Sequence, residues 1–109
     1  MITGKNYIGN QLSAKGNKTY KTFNPQTNSE NSFVFTEATS EEINLATELA
    51  TSAFQIYSKK SGIEKALFLR TIADEIENLG DELIHMYTSE SGLPAGRAMG
   101  ERGRTLGQL

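Results

Sequence analysis

Thr39-Ser40-Glu41-Glu42-Ile43-Asn44-Leu45-Ala46 marks where the apolar period of the chain changes from two to 3.6. Thr39 and Glu42, three apart, form a capping-box pattern that predicts a helix start here. Beyond it Ile43, Ala46, Ala50, Ala53, Phe54 and Tyr57 fall on one stripe, and Leu45, Leu49 and Ile56 widen it to about half the circumference. A helix that apolar needs cover from more than one neighbour. This switch divides the chain into an expected β-ribbon and turn segment over residues 1–38 and a helical segment over 39–109. The fold class it predicts is α+β, a short antiparallel β-ribbon followed by helices.

Upstream, Asn, Thr, Ser and Gly dominate, with aromatics spaced between them. Tyr7-Ile8-Gly9-Asn10-Gln11-Leu12 and Thr19-Tyr20-Lys21-Thr22-Phe23 read as two short strands, with turn chemistry at Ser13-Ala14-Lys15-Gly16-Asn17 between them. Asn24-Pro25 ends the second, because proline has no N–H to give a ladder. Phe33-Val34-Phe35 is a third strand candidate, apolar on both faces.

Downstream, Ser61 and Glu64 repeat the capping box after Lys59-Lys60, whose charges suit the negative end of the preceding helix. The second helix puts Phe68, Leu69, Ile72, Ala73, Ile76 and Leu79 on one side. Gly80-Asp81 reads as a C-cap followed by a new N-cap, hence a restart. The third helix is expected from Asp81 to Ser91, stopping at Gly92 with Pro94 beyond. In the last stretch Gly96, Gly100, Gly103 and Gly107 share one helical face. Each glycine costs a helix about 1 kcal/mol relative to alanine. This segment is therefore either a loop or a helix whose bare face lets another backbone approach. The chain stops at Gln108-Leu109 in mid-pattern, which reads as a truncation.

The 109 residues suit one small domain, and an apolar share of 37% is too high for a disordered chain. A net charge of −2 calls for neither nucleic acid nor an anionic membrane as a partner. No segment fits a signal peptide or a membrane span, so the cytoplasm is the expected compartment. With no cysteine there is no thiol nucleophile or cysteine-ligated metal within the chain.

The order of these features resembles the start of an aldehyde dehydrogenase. Tyr7-Ile8-Gly9-Asn10 resembles that family's opening strand, and Asn24-Pro25-Gln26-Thr27-Asn28-Ser29-Glu30 its Asn-Pro turn. The alanine-rich helix from Thr39 resembles its first helix. Lys65-Ala66-Leu67-Phe68-Leu69-Arg70-Thr71-Ile72-Ala73 is similar to its second, with lysine where arginine is common. Ser89-Glu90-Ser91-Gly92-Leu93-Pro94 resembles its Gly-x-Pro turn. Asn28-Ser29 departs from the usual Gly-Glu, which affects only the local turn. Gly92-Leu93-Pro94 and the run from Gly100 to Leu109 resemble the branch that oxidises α-ketoglutaric semialdehyde (2,5-dioxopentanoate), usually with NADP. Bacterial long-chain fatty aldehyde dehydrogenases are similar as well.

The resemblance implies that these residues are the N-terminal part of a Rossmann-type cofactor-binding domain in an oligomeric enzyme that uses NADP or NAD. In such enzymes a cysteine thiolate attacks the aldehyde, hydride passes to the cofactor, and water activated by a glutamate hydrolyses the thioester. By resemblance all those groups, and the cofactor site, lie beyond Leu109. No catalytic and no cofactor-binding residue is assigned here, and the chain alone is expected to bind no cofactor and to be inactive. The remainder of the enzyme would be its partner. The resemblance also implies a monovalent cation held by the carbonyls of Thr22 and Phe23 and the acid Glu90, against a plainer reading of Glu90 as a surface acid. His85 reads as an ordinary helix residue. Glu41-Glu42, Asp74-Glu75 and Asp81-Glu82 read as capping or solvated pairs. Arg97, Arg102 and Arg104 read as helix-face cations paired with carboxylates rather than a nucleic-acid site. The alternative to an enzyme part is a small helical protein-interaction module.

Overall fold

The computed structural model describes residues 2–109. Four strands precede four helices, so the class is α+β, with two small antiparallel sheets in place of one ribbon. The residues group into two compact units. One comprises the chain up to Thr22 together with Ser32–Lys60, and the other Phe23–Asn31 with Ser61–Leu109.

In the first unit β1 (Asn6–Ile8) pairs antiparallel with β2 (Gln11–Ser13), in register Asn6 to Ser13, Tyr7 to Leu12 and Ile8 to Gln11. The expected single strand from Tyr7 to Leu12 is thus a hairpin. Gly9 takes φ 59°, and Gly9-Asn10 is a two-residue turn of the kind that left-handed residues allow. Ile8 from this hairpin is buried. β3 (Thr19–Asn24), whose last two residues fall in the other unit, pairs with β4 (Ser29–Thr36), whose first three do, so the strand expected at Phe33-Val34-Phe35 is longer than its apolar core. Tyr20 stacks on Phe35 with ring centroids 5.5 Å apart. Backbone bonds from Thr36 N–H to Gly4 O (2.9 Å) and from Glu37 N–H to Lys18 O (2.9 Å) tie β4 to the segments before β1 and β3. Helix α1 (Ser40–Tyr57) starts at the expected place, with Thr39 as N-cap and both arms of the capping box formed. Lys59 and Lys60 follow its end, their N–H groups donating to Ile56 O and Tyr57 O.

In the second unit α2 (Gly62–Asn78) is capped by the Ser61–Glu64 box, as its sequence predicts. The restart after it occurs at Gly80, φ 55°, which opens α3 (Gly80–Ser91). Asp81 does not cap this helix. The turn is closed by Leu79 without a side-chain bond, and Asp81 sits inside the first turn, where its charge favours the helix dipole. Gly92 ends α3 in the left-handed conformation. The glycine-rich tail is a helix, α4 (Ala95–Gln108), not a loop. Ala98 of α4 is 2% exposed, in a helix that contacts both α2 and α3. A β-carbon added at Gly96, Gly100, Gly103 or Gly107 would meet open space among the described residues, so in this structure no backbone lies against that face. Arg97 pairs with Glu101 one turn on at 2.6 Å, and Arg102 donates to Gly80 O at 3.3 Å. Arg97 thus pairs with a carboxylate as expected, whereas Arg102 donates to a backbone carbonyl. No described helix is long and apolar enough to cross a membrane.

Candidate functional site

A hydrogen-bonded feature of the second unit joins two turns lying 66 residues apart in sequence. The first follows Asn24, whose Oδ1 accepts from the backbone N–H groups of Gln26 (2.9 Å) and Thr27 (3.4 Å). This is a side chain folding its own turn, the reason Asn-Pro sequences initiate turns. Pro25 fixes the backbone between them, and Asn28 closes the turn at φ 52°. The second turn follows α3. Gly92 at φ 72° donates its N–H to Thr88 O (3.0 Å), Leu93 N–H donates to Ser91 Oγ (3.1 Å), and Pro94 opens α4.

The two turns bond directly. Gln26 Nε2 donates to Gly92 O at 2.9 Å, and Asn31 Nδ2 donates to Ser89 O at 3.3 Å. Helix α3 has no basic residue in its last turn, and these two amides satisfy carbonyls at its C-terminal end. A β-carbon at Gly92 would lie 2.6 Å from Pro25 Cγ, so the absence of a side chain there is what lets the turns approach. Phe23 leads into the first turn and Glu90 sits between the two bonded positions of the second, both in this unit, whereas Thr22 belongs to the first unit.

A second built feature lies in the first unit at Glu42, which is 1% exposed. Its carboxylate accepts from Ser13 Oγ, from Lys15 N–H (3.2 Å) and from Thr39 N–H (2.9 Å). These donors, the Ser13 hydroxyl foremost and then the Thr39 N–H, hold its carboxyl below the ordinary carboxylate value against the opposing effect of burial. Glu41 is lowered as well, chiefly by its own backbone N–H and then by the Thr39 hydroxyl. The capping box is evident from Thr39 and Glu42. That the same carboxylate also pins the loop after β2 is not, because Ser13 and Lys15 lie 29 and 27 residues upstream. Among the described residues no group of three or more His, Cys, Asp or Glu is placed to hold a metal ion.

The first feature is built from amides on carbonyls and the second from a buried acid on N–H and O–H donors. The profile of the aldehyde dehydrogenase family matches residues 12–109. The chain belongs to that family. It is 41% identical over 109 residues to alpha-ketoglutaric semialdehyde dehydrogenase 2 of Azospirillum brasilense, covering 99% of this chain and 21% of the relative. It is 37% identical over 106 residues to the alpha-ketoglutaric semialdehyde dehydrogenase of Acinetobacter baylyi, covering 97% and 20%. It is 40% identical over 74 residues to 4-trimethylaminobutyraldehyde dehydrogenase of Rattus norvegicus, covering 68% and 15%. The chain thus spans about a fifth of the length of the first two relatives.

Proposed function

We propose that this chain is the opening layer of the cofactor-binding domain in an α-ketoglutaric semialdehyde dehydrogenase, a cytoplasmic, oligomeric enzyme. The reaction is oxidation of the semialdehyde to the dicarboxylic acid with NADP or NAD. The observation that carries this reading is the 41% identity, over 99% of this chain, to a protein of that name. The joined turns at Pro25 and Gly92 support it, since they fall on the two segments whose sequences resemble the family's own turns.

We assign no dinucleotide contact to these residues. Their strands form antiparallel hairpins, and the N-termini of α1 and α2 are already filled by Glu42 and Glu64. In this reading cofactor and chemistry are assigned to other residues of the enzyme, which this chain helps to position. With no cysteine it has no thiol to attack an aldehyde. Phe23 and Glu90 retain their proposed role toward a monovalent cation, with Thr22 as the third proposed ligand.

The test is the substrate profile of the longest protein carrying this sequence. A higher kcat/KM for α-ketoglutaric semialdehyde than for acetaldehyde is expected. A preference for acetaldehyde overturns the substrate assignment and leaves the family membership standing.

A further inference from the structure

Two Asn-Ser dipeptides stand three residues apart, Asn28-Ser29 and Asn31-Ser32, with the same local chemistry and opposite settings. Asn31 lies within β4, half-buried, its backbone in the strand and its carboxamide donating to Ser89 O at 3.3 Å. Asn28 is exposed at the end of the turn, and its φ of 52° is the one positive value among the described non-glycine residues. Its carboxamide has no hydrogen-bond partner among the described residues, whereas the neighbouring Thr27 and Ser29 hydroxyls bond each other at 2.8 Å. An asparagine tolerates left-handed backbone but is not at its minimum there, so this residue leaves its conformation more cheaply than one locked in a ladder.

We propose that Asn28 is a site of spontaneous deamidation, and that Asn31 is protected from the same reaction by its strand and by Ser89. The backbone nitrogen of Ser29, losing its proton to hydroxide, attacks Asn28 Cγ. The new N–C bond closes a five-membered imide, the Cγ–Nδ2 bond breaks, and ammonia leaves. Water then opens the imide at either carbonyl, giving aspartate or, when the chain is rerouted through the side chain, isoaspartate. No oxidant or reductant is consumed. The product places a carboxylate, and in isoaspartate an extra backbone methylene, at the turn that carries Gln26 to Gly92 O. Modification is therefore expected to weaken that joint between the turns.

The experiment uses the whole chain, incubated in mildly alkaline buffer with and without urea and followed by peptide mapping with mass spectrometry that resolves isoaspartate. In native buffer the product at residue 28 is expected to exceed that at residue 31 by about tenfold, a factor worth about 1.4 kcal/mol. In urea the two dipeptides should react at similar rates. Equal rates in native buffer overturn the proposal, as does a lack of reaction at Asn28. An excess at Asn28 that persists unchanged in urea overturns it too, because the selectivity would then lie in the flanking sequence and not in the fold.

Discussion

Replacing Gly92 with alanine separates two costs that this structure assigns to different atoms. The first is conformational. At φ 72° an L-residue is disfavoured by about 1–2 kcal/mol. The second is steric, since the new β-carbon would lie 2.6 Å from Pro25 Cγ, about 1 Å inside an ordinary carbon contact. Overpacking of that kind costs about 1–3 kcal/mol. Gly80 supplies the control, because it has φ 55° and a β-carbon there meets nothing within 4 Å. Gly80→Ala should therefore carry only the first cost and Gly92→Ala both, leaving a gap of about 1–3 kcal/mol between the variants. For a domain of this size that gap is about 4–8 °C in Tm per kcal/mol. Pro25→Ala removes Cγ but keeps Cβ, which would stand 3.5 Å from the new atom, an ordinary contact. In that background Gly92→Ala should fall to the level of Gly80→Ala, a coupling that a double-mutant cycle in urea melts measures directly. If Gly92→Ala is no worse than Gly80→Ala, or if Pro25→Ala leaves the gap unchanged, the two turns are not in contact as described.

Three further outcomes follow from other parts of the molecule. Glu42 has a folded-state value below its ordinary 4.5, so its contribution is present above that value and disappears as pH falls through the lowered one; Glu42→Gln should lower Tm at neutral pH and flatten the loss of Tm on acidification, and an unchanged acid slope would remove the Ser13 and Thr39 contacts from the account. Gly100→Ala points into open space, so in this chain it should stabilise α4 by about 0.5–1 kcal/mol through helix propensity, read by urea melts, and a loss instead would mean that a backbone lies against the glycine face. The apolar face of α1, with Ile43, Phe54 and Ile56 all more than half exposed, should drive the isolated chain into dimers or larger assemblies at micromolar concentration; light scattering showing a 12.0 kDa monomer throughout a wide dilution series would contradict this.

The helices were legible because their signals are local. Thr39 with Glu42, Ser61 with Glu64, and Gly92 before Pro94 each act within one turn, and each is found where its spacing predicts. The first hairpin was misread for a related reason. Tyr7 to Leu12 is apolar enough to pass as one strand, and the turn depends on Gly9 alone adopting positive φ. Asp81 shows the reverse error: its residue type suits an N-cap, but Gly80 restarts the helix one position earlier and moves Asp81 inside it. The spacing of the α4 glycines leaves loop or helix open, and it carries no information on what lies opposite their face. The two joints that organise the units, Ser13 with Glu42 and Gln26 with Gly92, connect residues 29 and 66 positions apart. A single sequence has no term for such pairs. Only the resemblance of both turns to one family pointed toward the second.

We propose that these residues form an interchangeable scaffold layer of an aldehyde dehydrogenase and contribute no reacting group. The most direct measurement replaces the matching fifth of the Azospirillum brasilense relative with this chain and follows oxidation of α-ketoglutaric semialdehyde by NADPH or NADH formation. A folded chimera is expected whose kcat/KM stays within about tenfold of the parent's, a change of about 1.4 kcal/mol or less in the barrier. A chimera that folds and assembles but has lost turnover would contradict it, because the exchanged residues would then take part in the chemistry.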